Sequence, residues 1–187
     1  HPGVPIPHRK TAHLSHHRVS IPGARYFATC CTEGRAAGLM HAPVVSQLVD
    51  TWRTFDTSGD AALVCATVMP DHVHWIFTLG ARLLVSQVIA RWKFETKGAL
   101  EPTGIAWQKN FFEHRVRPEE SVESYAFYVF MNPYVADLIA LDAAWPCWRK
   151  GAGASFRFEE QLREGRTPQP EWIKNPLARG GGLAVDL

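Results

Sequence analysis

The chain has 187 residues, enough for about one domain, and is 46% hydrophobic, 11% aromatic and 20% charged. That make-up suits a folded globular protein and excludes a disordered one. Lys and Arg (20) nearly balance Asp and Glu (18), and a net charge of +2 does not by itself announce a nucleic-acid partner. The longest apolar stretch, residues 61–70, falls far short of the ~18–20 residues that span a bilayer, which argues against a membrane protein.

Cysteines occur at 30, 31, 65 and 147 without a C-x-x-C pair, so zinc is a poor fit and reduced thiols in the cytoplasm are expected. The first twenty residues carry prolines and histidines and no apolar core of a secretory signal. Charge is segregated. Residues 82–117 hold seven basic residues against three acidic, whereas 118–148 hold five acidic and none basic. Such a distribution allows one positive face on a nearly neutral protein; it is equally compatible with ordinary solvated faces.

In chain order, residues 1–23 read as an irregular basic arm, rich in proline. A strand follows from Arg25 to Thr32, then a helix after Pro43 on which Val44, Val45, Leu48 and Trp52 recur at helical spacing, to about Phe55. Ala61–Met69 has the small, branched and apolar residues of a buried strand. Pro70-Asp71 signals a tight turn, and a second strand runs to Leu79. A helix is predicted from about Leu84 to Gly98, and a strand from Trp107 to Val116. Pro118-Glu-Glu-Ser121 starts a further helix through Tyr125, Tyr128 and Asn132, to be broken or kinked at Pro133 before the apolar pattern resumes to about Leu141. A short charged helix near Phe156–Glu164 lies in a basic, partly flexible tail, 149–187. The order β-α-β-β-α-β plus a late helix predicts an α+β ferredoxin-like sandwich in residues 24–148: an antiparallel sheet with helices on one face and the other face free to bind.

Two motifs carry chemistry. His72-Val73-His74 lies in a predicted strand, where the period of two sends both imidazoles to one face, about 7 Å apart along the chain. They can converge on a metal ion, or remain ordinary surface histidines. Tyr128 and Asn132, four apart, share a helical face, with Pro133 directly after.

The stretch Val68-Met-Pro-Asp-His-Val-His-Trp-Ile76 resembles the metal motif of the HUH (histidine–hydrophobic–histidine) single-strand transposases, and 107–117 resembles their following strand. Tyr128-Val-Phe-Met-Asn-Pro133 is similar to the Tyr-x-x-x-Asn-Pro signature of one branch, the REP-associated tyrosine transposases. The resemblance spans roughly residues 20–148. It departs at 134–138, where the family commonly has a basic residue and a glycine, and at Trp145-Pro-Cys-Trp148, which only approximates the family's Trp-Pro-x-Ser-Ser.

The resemblance implies that His72, His74 and Asn132 bind a divalent ion, Mg2+ or Mn2+, and that Tyr128 is the nucleophile. The implied activity is nicking and strand transfer on single-stranded or hairpin DNA through a 5′-phosphotyrosine, by a cytoplasmic bacterial monomer or homodimer. Lys93, Lys97, Lys109, Arg115 and Arg117 are the candidate phosphate contacts, and His114 a candidate support for the site. Among Trp75, Trp92 and Trp107, any exposed indole could stack on a base, although core packing suits at least two of them. Two other readings stay open: a structured-DNA-binding protein that does not cut, and a histidine–metal hydrolase whose nucleophile is water.

Overall fold

A computed structural model describes residues 19–185. Residues 1–18 of the expected basic arm lie outside the described residues. Eight elements follow in order: β1 (Arg25–Cys31), α1 (Ala42–Ser58), β2 (Ala61–Val68), β3 (His72–Leu79), α2 (Val85–Leu100), β4 (Phe112–Val116), α3 (Val122–Val135) and β5 (Trp148–Lys150). They build one antiparallel sheet in the order β4-β1-β3-β2-β5. The first four strands have the ferredoxin-like order expected; β5 extends the edge beside β2. Among the described residues no helix is long and apolar enough to cross a membrane.

Strand parity assigns each residue to a layer. Tyr26, Ala28 and Cys30 of β1 and Val73, Trp75 and Phe77 of β3 face α1 and α2. That layer centres on stacked indoles: Trp92 lies 5.8 Å from Trp52 and 5.3 Å from Trp75, ring centre to ring centre. The amphipathic period of both helices places Leu48, Trp52 and Phe55 of α1, and Val88, Ile89 and Trp92 of α2, on this face. α1 stops at Gly59, whose φ of 74° is the left-handed conformation that lets the chain turn into β2.

The opposite face, which the sequence reading leaves free to bind, is covered. Phe27, Cys65 and Ile76 meet α3, whose other side is covered in turn by Phe156, Phe158, Trp172 and Ala178 of the C-terminal segment. Phe127 packs edge-on against Phe158 and Trp172 at 5.6 and 5.2 Å. A helix with apolar residues all round is the sequence mark of burial on both sides. Its low amphipathicity therefore required a second covering layer, supplied by residues 156–185. The short tail helix is a 3-10 segment, Arg157–Gln161.

Two predicted elements are corrected. Residues 107–111 are not strand: only an isolated bridge joins Trp107 to Thr32, and β4 begins at Phe112. The polar Gln108-Lys109-Asn110 forms a loop, which the Lys93 ammonium holds by donating to the carbonyls of Gln108 and Asn110 at 2.7 and 3.0 Å. α3 is also not broken at Pro133. It continues to Val135 and ends there, with Asp137 at a left-handed φ of 58° instead of a resumed helix. The missing proline N–H removes one helical hydrogen bond. Packing of Phe130, Met131 and Tyr134 on both sides holds the last turn in place, and the Tyr134 hydroxyl donates to the carbonyl of Ala143.

Candidate active site

The Pro70-Asp71 turn joins β2 to β3 and is pinned from outside the hairpin. Gly38 and Leu39 N–H groups donate to the Pro70 carbonyl, and Thr32 N–H donates to that of Asp71. β3 therefore starts with His72 opposite Cys31 and His74 opposite both Thr29 of β1 and Thr67 of β2. Both imidazoles face α3. One helical turn separates Tyr128 from Asn132, and both reach the same place. Thr29, Cys31, Arg35, His72, His74, Tyr128 and Asn132 together line a cleft of about 450 Å³.

The histidines are held, not merely adjacent. Nε2 of His72 and Nε2 of His74 lie 3.1 Å apart. Behind them, His72 Nδ1 meets Asp71 Oδ1 at 2.7 Å and His74 Nδ1 meets Thr29 Oγ1 at 2.8 Å. A carboxylate only accepts, so neutral His72 donates its Nδ1–H to it and leaves the Nε2 lone pair facing the cleft. The Thr29 hydroxyl either donates or accepts, so it allows the same tautomer at His74. The Asn132 side chain also hydrogen-bonds His72. The ring of His74 lies between Phe27 and Tyr128, with ring centres 5.6 and 5.4 Å away.

Burial holds both imidazoles uncharged. Desolvation lowers His72 from its ordinary value despite the opposing pull of Asp71. It holds His74 well below that value, helped by the nearby Arg35 guanidinium and by the repulsion that protonating both neighbouring imidazoles would bring. Neutral imidazoles with Nδ1 anchored are the form that ligates metal.

The donor set fits a divalent ion. Metal–nitrogen bonds of about 2.1 Å meeting at a right angle place two nitrogens about 3 Å apart, close to the separation between these rings. Among the described residues no group of three or more His, Cys, Asp or Glu forms a cage. Two imidazoles and an amide would thus leave coordination positions open, and mixed N/O donors suit manganese better than magnesium.

The other expected contacts do not gather here. None of Lys93, Lys97, Lys109, Arg115 and Arg117 lines the cleft. Lys93 is committed to the 108–110 loop, and burial lowers its ammonium from the usual lysine value. Lys97 pairs loosely with Glu101, Lys109 and Arg117 are exposed, and Arg115 is half-buried on β4. His114 lies within 2.9 Å of both carboxylate oxygens of Glu120 and stacks on Tyr125, so it supports α3 and not the histidine pair. Trp75 and Trp92 are core residues, and Trp107 packs on Trp92 while its indole N–H donates to Thr96. None of the four cysteines is in a disulfide.

The residues that sequence reasoning missed are Asp71, Thr29 and Arg35. Asp71 had a signal, since it stands directly before His72 in the same motif. Thr29 is recognisable only from the register of β1 on β3. Arg35 sits in the loop after β1, 37 positions before His72 and in no motif, and only the fold brings the two together.

No protein-family model and no curated protein matches the sequence. The backbone, however, is similar to the solved structure of a REP-associated tyrosine transposase bound to a REP hairpin, with TM-score 0.61 and 22% identity over 72% of this chain and 81% of that one. A crystal structure from Deinococcus radiodurans R1 matches at 19% identity, covering 68% of this chain and 99% of that one, but its TM-score of 0.45 is too low to bear on the fold. The protein shares the α+β fold of the REP-associated tyrosine transposase structure.

Proposed function

We propose that the protein is a metal-dependent tyrosine transposase or site-specific endonuclease that cuts and rejoins single-stranded DNA. One observation carries the reading: Tyr128 and Asn132 of α3 share a cleft with the Nε2 atoms of His72 and His74. His72, His74 and Asn132 would hold Mn2+ or Mg2+. When bound, the ion supplies charge neutralisation on the phosphate and makes phosphorus more electrophilic.

The protein's own groups do the rest. The Tyr128 hydroxyl attacks phosphorus: the Tyr128 Oη–P bond forms as the P–O3′ bond breaks, the phenol loses its proton, and the departing 3′-oxygen gains one. The product is a 5′-phosphotyrosine and a free 3′-hydroxyl. The ester keeps the energy of the broken bond, so rejoining requires no nucleotide. Phe27 and His74 hold the phenol ring in place, which limits its search for an in-line position. Exposed Lys97, Lys109 and Arg117 serve as outer contacts to the DNA backbone, a role that makes binding weaken with salt. Hairpin DNA is the substrate of choice to test, because the similar structure is bound to a REP hairpin.

The test incubates the full chain with single-stranded hairpin oligonucleotides and Mn2+, followed by denaturing electrophoresis. A covalent protein–DNA adduct that disappears in Tyr128→Phe supports the proposal. Binding without an adduct identifies a non-cutting DNA-binding protein, and cleavage that survives Tyr128→Phe identifies a hydrolase that uses water.

A further inference from the structure

Arg35 stands at the mouth of the cleft with much of its hydrogen-bonding capacity unspent. Its Nε meets Asp71 Oδ2 at 2.8 Å and its Nη1 donates to Cys31 Sγ at 2.8 Å. Nη2 lies 3.3 Å from His72 Nδ1, but the proton on that nitrogen is turned to Asp71, so no lone pair is offered there. A guanidinium has five N–H donors. These contacts use at most three of the five, so at least two Nη hydrogens are left for a ligand. The Arg35 side chain is 51% exposed and its Asp71 partner 23%, which leaves the guanidinium as the open side of the pair.

Among the described residues lining the cleft, Arg35 is the one permanent cation. The backbone presents it deliberately. Gly34 and Arg35 are both left-handed, with φ of 59° and 56°, and for a non-glycine residue that conformation costs about 1 kcal/mol. The turn is clamped by Ala36 N–H on the Glu33 carbonyl at 3.2 Å and by the Thr32 hydroxyl on the Ala36 carbonyl at 2.7 Å.

We propose that Arg35 is the phosphate-binding residue of this cleft, gripping the non-bridging oxygens of the phosphodiester presented to Tyr128. The assignment rests on the phosphodiester reading given above. A planar fork, fixed at Nε by a carboxylate and open at Nη, matches two phosphate oxygens in a way a lysine ammonium does not. Asp71 then serves both halves of the site, with one oxygen on His72 and the other on Arg35.

The test titrates dimethyl phosphate, a minimal phosphodiester, into the 15N-labelled full chain and follows the arginine Nε–Hε and Asn132 amide signals. The Arg35 signal, identified by its loss in Arg35→Lys, should shift saturably at constant ionic strength. Arg35→Gln should weaken binding about ten- to a hundredfold, and Arg35→Lys by less, with thermal melting showing each variant folded. An unmoved Arg35 signal, or equal affinity in Arg35→Gln, overturns the assignment. Saturable binding through Arg35 without any Tyr128 adduct upholds the anion site and defeats the transesterification reading. Adduct formation at the wild-type rate in Arg35→Gln does the reverse.

Discussion

Removing the Asp71 carboxylate by Asp71→Ala tests whether the imidazole pair is a prepared metal site. In the native protein His72 Nδ1–H donates to the carboxylate at 2.7 Å, which keeps the Nε2 lone pair facing His74. Without it, His72 is free to rotate and to carry its proton on Nε2, where a ligand lone pair is needed. Loss of such an anchoring partner lowers metal affinity about 10- to 100-fold, or about 1.4–2.7 kcal/mol. The stability cost should be much smaller. The Arg35–Asp71 pair is partly solvated, and pairs of that kind contribute about 0–1 kcal/mol, a Tm change of at most about 4 °C for a chain of this size. Calorimetric titration of Mn2+ into wild type and variant, with melting curves of both, separates the two effects. Asp71→Asn keeps one acceptor and should fall between them. An Asp71→Ala protein that binds Mn2+ within about twofold of wild type refutes the anchoring argument.

Other outcomes follow from packing and charge. Trp92→Ala empties the centre of the indole stack and should cost about 3–5 kcal/mol, lowering Tm by roughly 6–20 °C in a calorimetric scan. A Cβ at Gly151 would stand 1.6 Å from the Leu63 carbonyl oxygen, so Gly151→Ala should displace β5 and expose the segment beyond it to limited proteolysis. Burial alone would raise the Asp60 carboxyl, but hydrogen bonds from Ser58 and Arg82 and the charges of Arg82 and Arg91 outweigh it and lower the pKa. The folded state therefore binds fewer protons than the unfolded one near the ordinary value of 3.8. The stabilisation from Asp60 is present above that pH and lost as pH falls through the lowered pKa, and urea midpoints against pH should show a flatter acid limb in Asp60→Asn.

Much of the site was legible because its residues lie close in sequence on regular elements. His72 and His74 are two apart on a strand, and Tyr128 and Asn132 four apart on a helix, so each pair shares a face by geometry alone. The supporting groups were not legible in the same way. Thr29 meets His74 across 45 positions and Arg35 meets His72 across 37, contacts that exist only once β1 is in register with β3. The charge pattern misled about Lys93, whose ammonium serves a loop, because a count of basic residues carries no information on which ones are buried.

Local periodicity determined the first three strands and first two helices, the order β-α-β-β-α-β, and which side chains share a face, but not the edge strand β5 or the start of β4. Tertiary structure decided that Pro133 stays helical, that α3 is covered on both sides, and that Asp71 and Arg35 stand at the histidines. Those outcomes turn on packing and on pairing between distant segments, whose energies no local window of residues contains.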